Sequence, residues 1–149
     1  FVAYAKQIVK NAKALAEKLL EYGFNLMSGG TDNHLILIDL QNKNIPGKKL
    51  AKALDRARIV TNYNTTPLDP SHPSDPTGLR IGTPAITTRG MKEEQARQIA
   101  TGIKKVAENI DNETAIEEVG KEVLLLCSQF TVPEHFIIPN NNNSLRGEW

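Results

Sequence analysis

Apolar residues recur at steps of three and four along the first 22 residues. Ala5, Ile8, Val9, Ala12, Leu15, Ala16, Leu19 and Leu20 form one stripe, with lysines and Glu17 on the other side. This spacing predicts an amphipathic helix, ended by Gly23, where a left-handed residue is favourable. "FNLMS" (24–28) reads as a short strand and "GGTDN" as turn chemistry. In "HLILIDL" (34–40), Leu35, Leu37 and Asp39 alternate with Ile36, Ile38 and Leu40. A segment apolar on nearly both faces predicts a central strand. Pro46 suits a first helical position, and Leu50, Ala53, Leu54 and Ala57 make the stripe of a second helix. "IVTNY" (59–63) predicts a third strand and "LRIGT" (79–83) a fourth.

Between those strands, residues 64–78 carry Pro67, Pro70, Pro73 and Pro76, which exclude a regular element. A loop of that length in a compact domain points to function or disorder, and its two ends are expected to lie close together. One long helix is predicted from Thr87 to Ile110, through Met91, Ile99, Ile103, Val106 and Ile110. Another follows through Ile116, Val119, Val123, Cys127 and Phe130. The order is helix, two strands, helix, two strands, two helices. It predicts an α+β fold: a small, mostly antiparallel sheet with helices on one face, the other face packing on a part outside the chain. Residues 1–132 form one domain, with residues 1–22 as a helix leading in. Residues 133–149 end in an Asn run without packing pattern, expected to be a disordered tail or an extension.

Composition narrows the field by exclusion. With 18 basic and 17 acidic residues in 149, the net charge of +1 gives no basis for broad attraction to nucleic acid or a membrane surface. No run is long enough to span a bilayer, and "FVAYAKQIVKNAKAL" lacks a signal-peptide pattern. Cys127 stands alone, which excludes an internal disulfide and fits a reducing compartment. The first residue is not Met and already lies in a helical pattern, so the chain is expected to be a piece of a longer protein.

Candidate chemistry is sparse. No nucleophile and base are paired, and His34, His72 and His135 lie apart, without metal-ligand spacing. Gly29-Gly30 suits a turn between strands, not a phosphate loop. The exception is the segment from Asn62 to Arg80. Asn62, Asn64, Thr65 and Thr66 place amides and hydroxyls at a strand end, and the returning strand carries Arg80. Its planar guanidinium matches a carboxylate edge, so Arg80 reads either as a solvated strand-end residue or as an anion-binding one. Arg89 is expected to be structural, His34 a hydrogen-bonded structural residue, His72 solvated and Cys127 a small core residue. Phe1 to Tyr4 should be held only by a part outside the chain.

"LRIGTPAITTRG" (79–90) resembles a segment near the carboxyl end of serine hydroxymethyltransferases. "AKALAEKLLEYGFNLMSGGTDNHLILIDL" and "GKKLAKALDRARIVTNYNTTPLD" are similar to the same family in order and spacing, over roughly residues 3 to 132. The chain departs from the common pattern at Thr77, before Gly78, and at Tyr63, between two asparagines. The resemblance implies the small carboxyl-terminal domain of an aspartate-aminotransferase-like (fold-type I) enzyme. Such an enzyme carries pyridoxal 5′-phosphate on a lysine upstream of this chain. It transfers the hydroxymethyl group of serine to tetrahydrofolate, giving glycine and 5,10-methylenetetrahydrofolate. It also implies a cytoplasmic homodimer with no nucleic-acid or membrane partner, and a fragment inactive alone. Carried over by position, Arg80 holds the substrate carboxylate and Asn64 lies near the folate pterin. No catalytic, cofactor-binding or metal-binding residue is expected in this fragment. Two other readings are a related pyridoxal-dependent aldolase that does not use folate, and a stand-alone binding module.

Overall fold

A computed structural model describes residues 1–67, 69–72 and 74–133. Its elements are α1 (Val2–Glu21), β1 (Asn25–Leu26), β2 (Leu35–Asp39), α2 (Gly47–Arg56), β3 (Asn62–Asn64), β4 (Gly78–Gly82), α3 (Pro84–Thr88), α4 (Glu93–Glu108) and α5 (Glu113–Gln129). The strands form one sheet in the order β1-β2-β4-β3, every neighbouring pair antiparallel. β2 is central, as its two-sided apolar pattern requires. β2 and β3 run parallel, joined through α2, with β4 inserted between them, a split β-α-β unit.

The core lies on one side of this sheet. Ile36 and Ile38 of β2 and Leu79 and Ile81 of β4 meet Leu15 and Leu19 of α1, Leu50 and Leu54 of α2, Ile103 and Val106 of α4 and Ile116 of α5, all buried. Helices therefore cover one face only, which bears out the α+β reading. Leu20 leaves the predicted stripe and is exposed, while the polar Asn11 is fully buried. Its amide donates to Thr87 Oγ1 (2.8 Å) and to the Met91 carbonyl (2.9 Å) and accepts from Gln7 Nε2 (2.9 Å). A buried amide persists only when its donors and acceptors are met, and here they tie α1 to the turn between α3 and α4.

Several boundaries differ from the sequence reading. The first strand is shorter because Ser28 and Gly29, at φ 57° and 72°, turn the chain after Leu26. Pro46 is the residue before α2 rather than its first member. The third strand begins at Asn62, not Ile59, and Val60 is 85% exposed. The single helix expected from Thr87 to Ile110 is two, α3 and α4, broken at Gly90 with φ 86°. There the Gly90 N–H donates to the Thr87 carbonyl and the Met91 N–H to the Ile86 carbonyl, so two of the last carbonyls of α3 are satisfied by a chain reversal. Tyr4 is held within the chain, by Thr88 Oγ1 at 2.7 Å, although Phe1 is exposed. The tail expected over 133–149, with His135, lies outside the described residues from 134 onward.

Candidate functional site

The sheet's uncovered face carries the polar residues. Residues directly opposite in the register share a face. Leu37, Arg80 and Asn62 therefore form one row across β2, β4 and β3, and Asp39, Gly78 and Asn64 form the next. Asn25 extends the second row and donates to Asp39 Oδ2 at 3.3 Å. The spacing of Asn64 and Arg80 is thus fixed by backbone pairing. Arg80 stands two residues past the Gly78 that pairs with Asn64, on the same side of the sheet.

Arg80 is exposed and makes no ion pair or side-chain hydrogen bond among the described residues. Asp39, the acidic residue on the same face, is engaged elsewhere: its Oδ1 accepts from the Gln41 N–H at 3.0 Å. Arg89, the other arginine of the same segment, is structural as expected. Its Nε donates to the Phe130 carbonyl (2.6 Å) and its Nη2 to the Cys127 carbonyl (3.1 Å), covering the C-terminal end of α5 with a cation. One arginine of the pair closes a helix, and the other presents its fork on an open sheet face.

The Pro-rich loop has the closed base predicted for it. Asn64 and Gly78 pair as the last residues of β3 and the first of β4. Gly78 is required here, since a Cβ would collide with the Asn64 carbonyl oxygen. From the other side, the Gly47 N–H at the start of α2 donates to the Pro76 carbonyl (2.9 Å), and the Leu40 N–H to the Thr77 carbonyl (3.1 Å).

Asp69, not singled out in the sequence reading, fastens the loop from inside. Its Oδ2 accepts from the N–H groups of Thr66 (3.3 Å) and Thr77 (2.9 Å), and its Oδ1 from Ser71 (2.9 Å). Partial burial raises the carboxyl's pKa, but the N–H donors of Ser71, Thr77 and Thr66 outweigh it and hold the group below its ordinary value of 3.8. The Asp-Pro-Ser run is the signal that reveals such a residue, since an Asx side chain readily accepts from the N–H two residues on.

The remaining candidates are bland. His34 is a correction: its side chain is exposed and makes no hydrogen bond among the described residues, and only its carbonyl is used, by the Thr83 N–H (3.1 Å). His72 is exposed, as expected, with Nδ1 2.9 Å from Ser74 Oγ. Cys127 is half-buried beside an apolar cavity of about 260 Å³, lined also by Ile81, Ile86, Met91 and Arg89. Among the described residues there is no group of acidic, histidine and cysteine side chains able to hold a metal, and no helix long and apolar enough to cross a membrane.

The family model for serine hydroxymethyltransferase matches residues 1–103. Over 133 residues the chain is 53% identical to a serine hydroxymethyltransferase from Sorangium cellulosum, covering 89% of this chain and 31% of that protein. Over 132 residues it is 53% identical to one from Pseudoalteromonas atlantica and 52% identical to one from Alteromonas mediterranea, covering 32% of each. The chain thus spans about a third of the length of the curated relatives it matches.

Proposed function

This chain belongs to the serine hydroxymethyltransferase family, and from that premise we propose that it is the small carboxyl-terminal domain of a fold-type I enzyme. In this reading the intact enzyme moves the hydroxymethyl group of serine to tetrahydrofolate, giving glycine and 5,10-methylenetetrahydrofolate. The observation that carries the proposal is the contrast between Arg80 and Arg89. The first presents an unengaged guanidinium on the face that helices leave open, while the second is taken up by α5.

Arg80 receives the carboxylate of serine or glycine. Paired N–H donors meeting both carboxylate oxygens fix the amino acid's rotation as well as its place. That rotation decides which bond at Cα is set to break. Asn64, one pair along on the same face, offers an amide with a donor and an acceptor to the mixed edge of a pterin. The rest of the enzyme closes over this face and removes water, which strengthens the arginine–carboxylate contact.

Pyridoxal phosphate supplies the electron sink for this chemistry. By family likeness the lysine that carries it lies upstream of this chain, and the placement of the described lysines agrees with that reading. These stand on α1, α2, α4 and α5 or at Lys43 and Lys92, and none lies in the strands. The cofactor's lysine therefore belongs, in this proposal, to the remainder of the polypeptide, and the domain alone is inactive. By family likeness the intact enzyme is a cytoplasmic homodimer with no nucleic-acid or membrane partner.

The test uses the full-length polypeptide with its cofactor. Serine cleavage should require tetrahydrofolate, and Asn64→Ala should raise the KM for tetrahydrofolate while leaving that for serine within about twofold. Folate-independent cleavage of a β-hydroxy amino acid such as threonine, with no folate-dependent turnover of serine, would contradict the proposal and favour an aldolase.

A further inference from the structure

The Asp69 carboxylate lies off the open sheet face, and nothing in the proposed reaction uses it directly. It is nevertheless the one side chain among the described residues whose oxygen takes N–H groups from both limbs of the Pro-rich loop. Thr66 lies two residues after Asn64, and Thr77 lies three before Arg80. The outer limb is fixed in turn by the Gly47 and Leu40 N–H groups. We infer that Asp69 is a positioning residue: by joining Thr66 to Thr77 it holds closed the loop end of the β3–β4 pair, whose backbone register places Asn64 and Arg80, and so supports the folate and carboxylate subsites together. The inference rests on the proposed function of those two residues.

The geometry needs a carboxylate. Oδ1 and Oδ2 both act as acceptors, for Ser71 on one side and for Thr66 and Thr77 on the other. An amide of the same shape has one acceptor oxygen, and its NH2 would face an N–H. Asp69→Asn therefore keeps the size and loses one half of the fastening. The carboxyl's depressed pKa agrees with an acceptor met by several N–H donors.

The experiment compares the full-length holoenzyme with its Asp69→Asn variant in steady-state kinetics, varying serine and tetrahydrofolate in turn. Misplaced binding groups raise KM, whereas loss of folded enzyme lowers apparent kcat and leaves KM alone. The expected result is a rise of about tenfold in KM for both substrates with kcat within about threefold. An unchanged KM for either substrate overturns the inference, whatever happens to kcat or to thermal stability. If Asp69→Asn yields no folded enzyme, Asp69→Glu is read in the same way: it keeps both acceptors, displaces them by a methylene, and should raise both KM values several-fold. Arg80→Lys, measured alongside, separates the two readings. A normal Arg80→Lys enzyme removes the substrate reading and the inference with it. An impaired one beside an Asp69→Asn enzyme with normal KM values removes the inference alone.

Discussion

Gly78 and Asn64 are partners across β4 and β3, and the Asn64 carbonyl oxygen fills the space that a side chain on Gly78 would need. The strand that carries Arg80 is therefore seated against the strand that carries Asn64 with no room for a methyl group. Gly78→Ala should push β4 away from β3, at about 1–3 kcal/mol of stability. Because the obstacle is backbone, relaxation is difficult. Urea unfolding checks this, and a variant as stable as the parent would contradict it.

Arg89 draws the end of α5 onto the turn after α3 through the Phe130 and Cys127 carbonyls. Arg89→Ala removes both charged hydrogen bonds and should destabilise by about 1.5–3 kcal/mol. Arg89→Lys keeps a cation near the helix end and should lose about half as much. Thermal denaturation of the two variants gives the order.

Arg58 occupies a position made for glycine. At the ends of α1 and α3, Gly23 and Gly90 take φ 74° and 86°. Arg58 takes φ 64° at the corresponding place after α2, where the Arg58 N–H donates to the Asp55 carbonyl and the Ile59 N–H to the Leu54 carbonyl. A left-handed conformation is unfavourable for a residue with a Cβ. Arg58→Gly should therefore stabilise the domain by about 0.5–1 kcal/mol, net of the greater freedom glycine gives the unfolded chain. A lowered unfolding midpoint would show that the arginine contributes more than its backbone strain.

Acid should act on Asp69 and Glu93. The Glu93 carboxyl lies below its ordinary 4.5 because of its own backbone N–H at the start of α4 and then the Gln7 amide; Asp69 lies below 3.8. A carboxyl with a lowered folded-state pKa stabilises the fold while ionised, so its contribution is present above the ordinary value and is lost as pH falls through the folded one. The thermal midpoint should therefore change little from neutrality to about pH 5 on account of these groups and fall below about 4.5. Glu93→Gln and Asp69→Asn should each make that fall shallower, and an unchanged slope in both would contradict the assignment.

Much of this was legible in the chain. The alternation through Ile36 and Ile38 marks a strand with one fully buried face, and β2 lies inside the sheet, between β1 and β4. The proline spacing marks the loop, and the motif around Arg80 marks the family. What escaped has physical reasons. The third strand, expected over "IVTNY", is confined to Asn62–Asn64, where the close approach of Gly78 to Asn64 brings two distant segments together. The break at Gly90 is hidden because Met91, the first residue of the apolar stripe that continues through Ile99 and Ile103, follows it directly. Asn11 sits where the periodicity asks for an apolar residue, and only the partners Thr87 and Met91, some eighty positions away, make an amide there stable. Asp69 left the short-range trace of an Asx turn, but its bond to Thr77 depends on the loop closing.

The most direct measurement is kcat/KM for serine in the full-length enzyme carrying Arg80→Lys. Lysine keeps the charge and loses the planar pair of donors, so the account predicts a loss of about 2–4 kcal/mol in transition-state stabilisation, roughly 30- to 900-fold. A variant that cleaves serine at nearly the parent rate would contradict it.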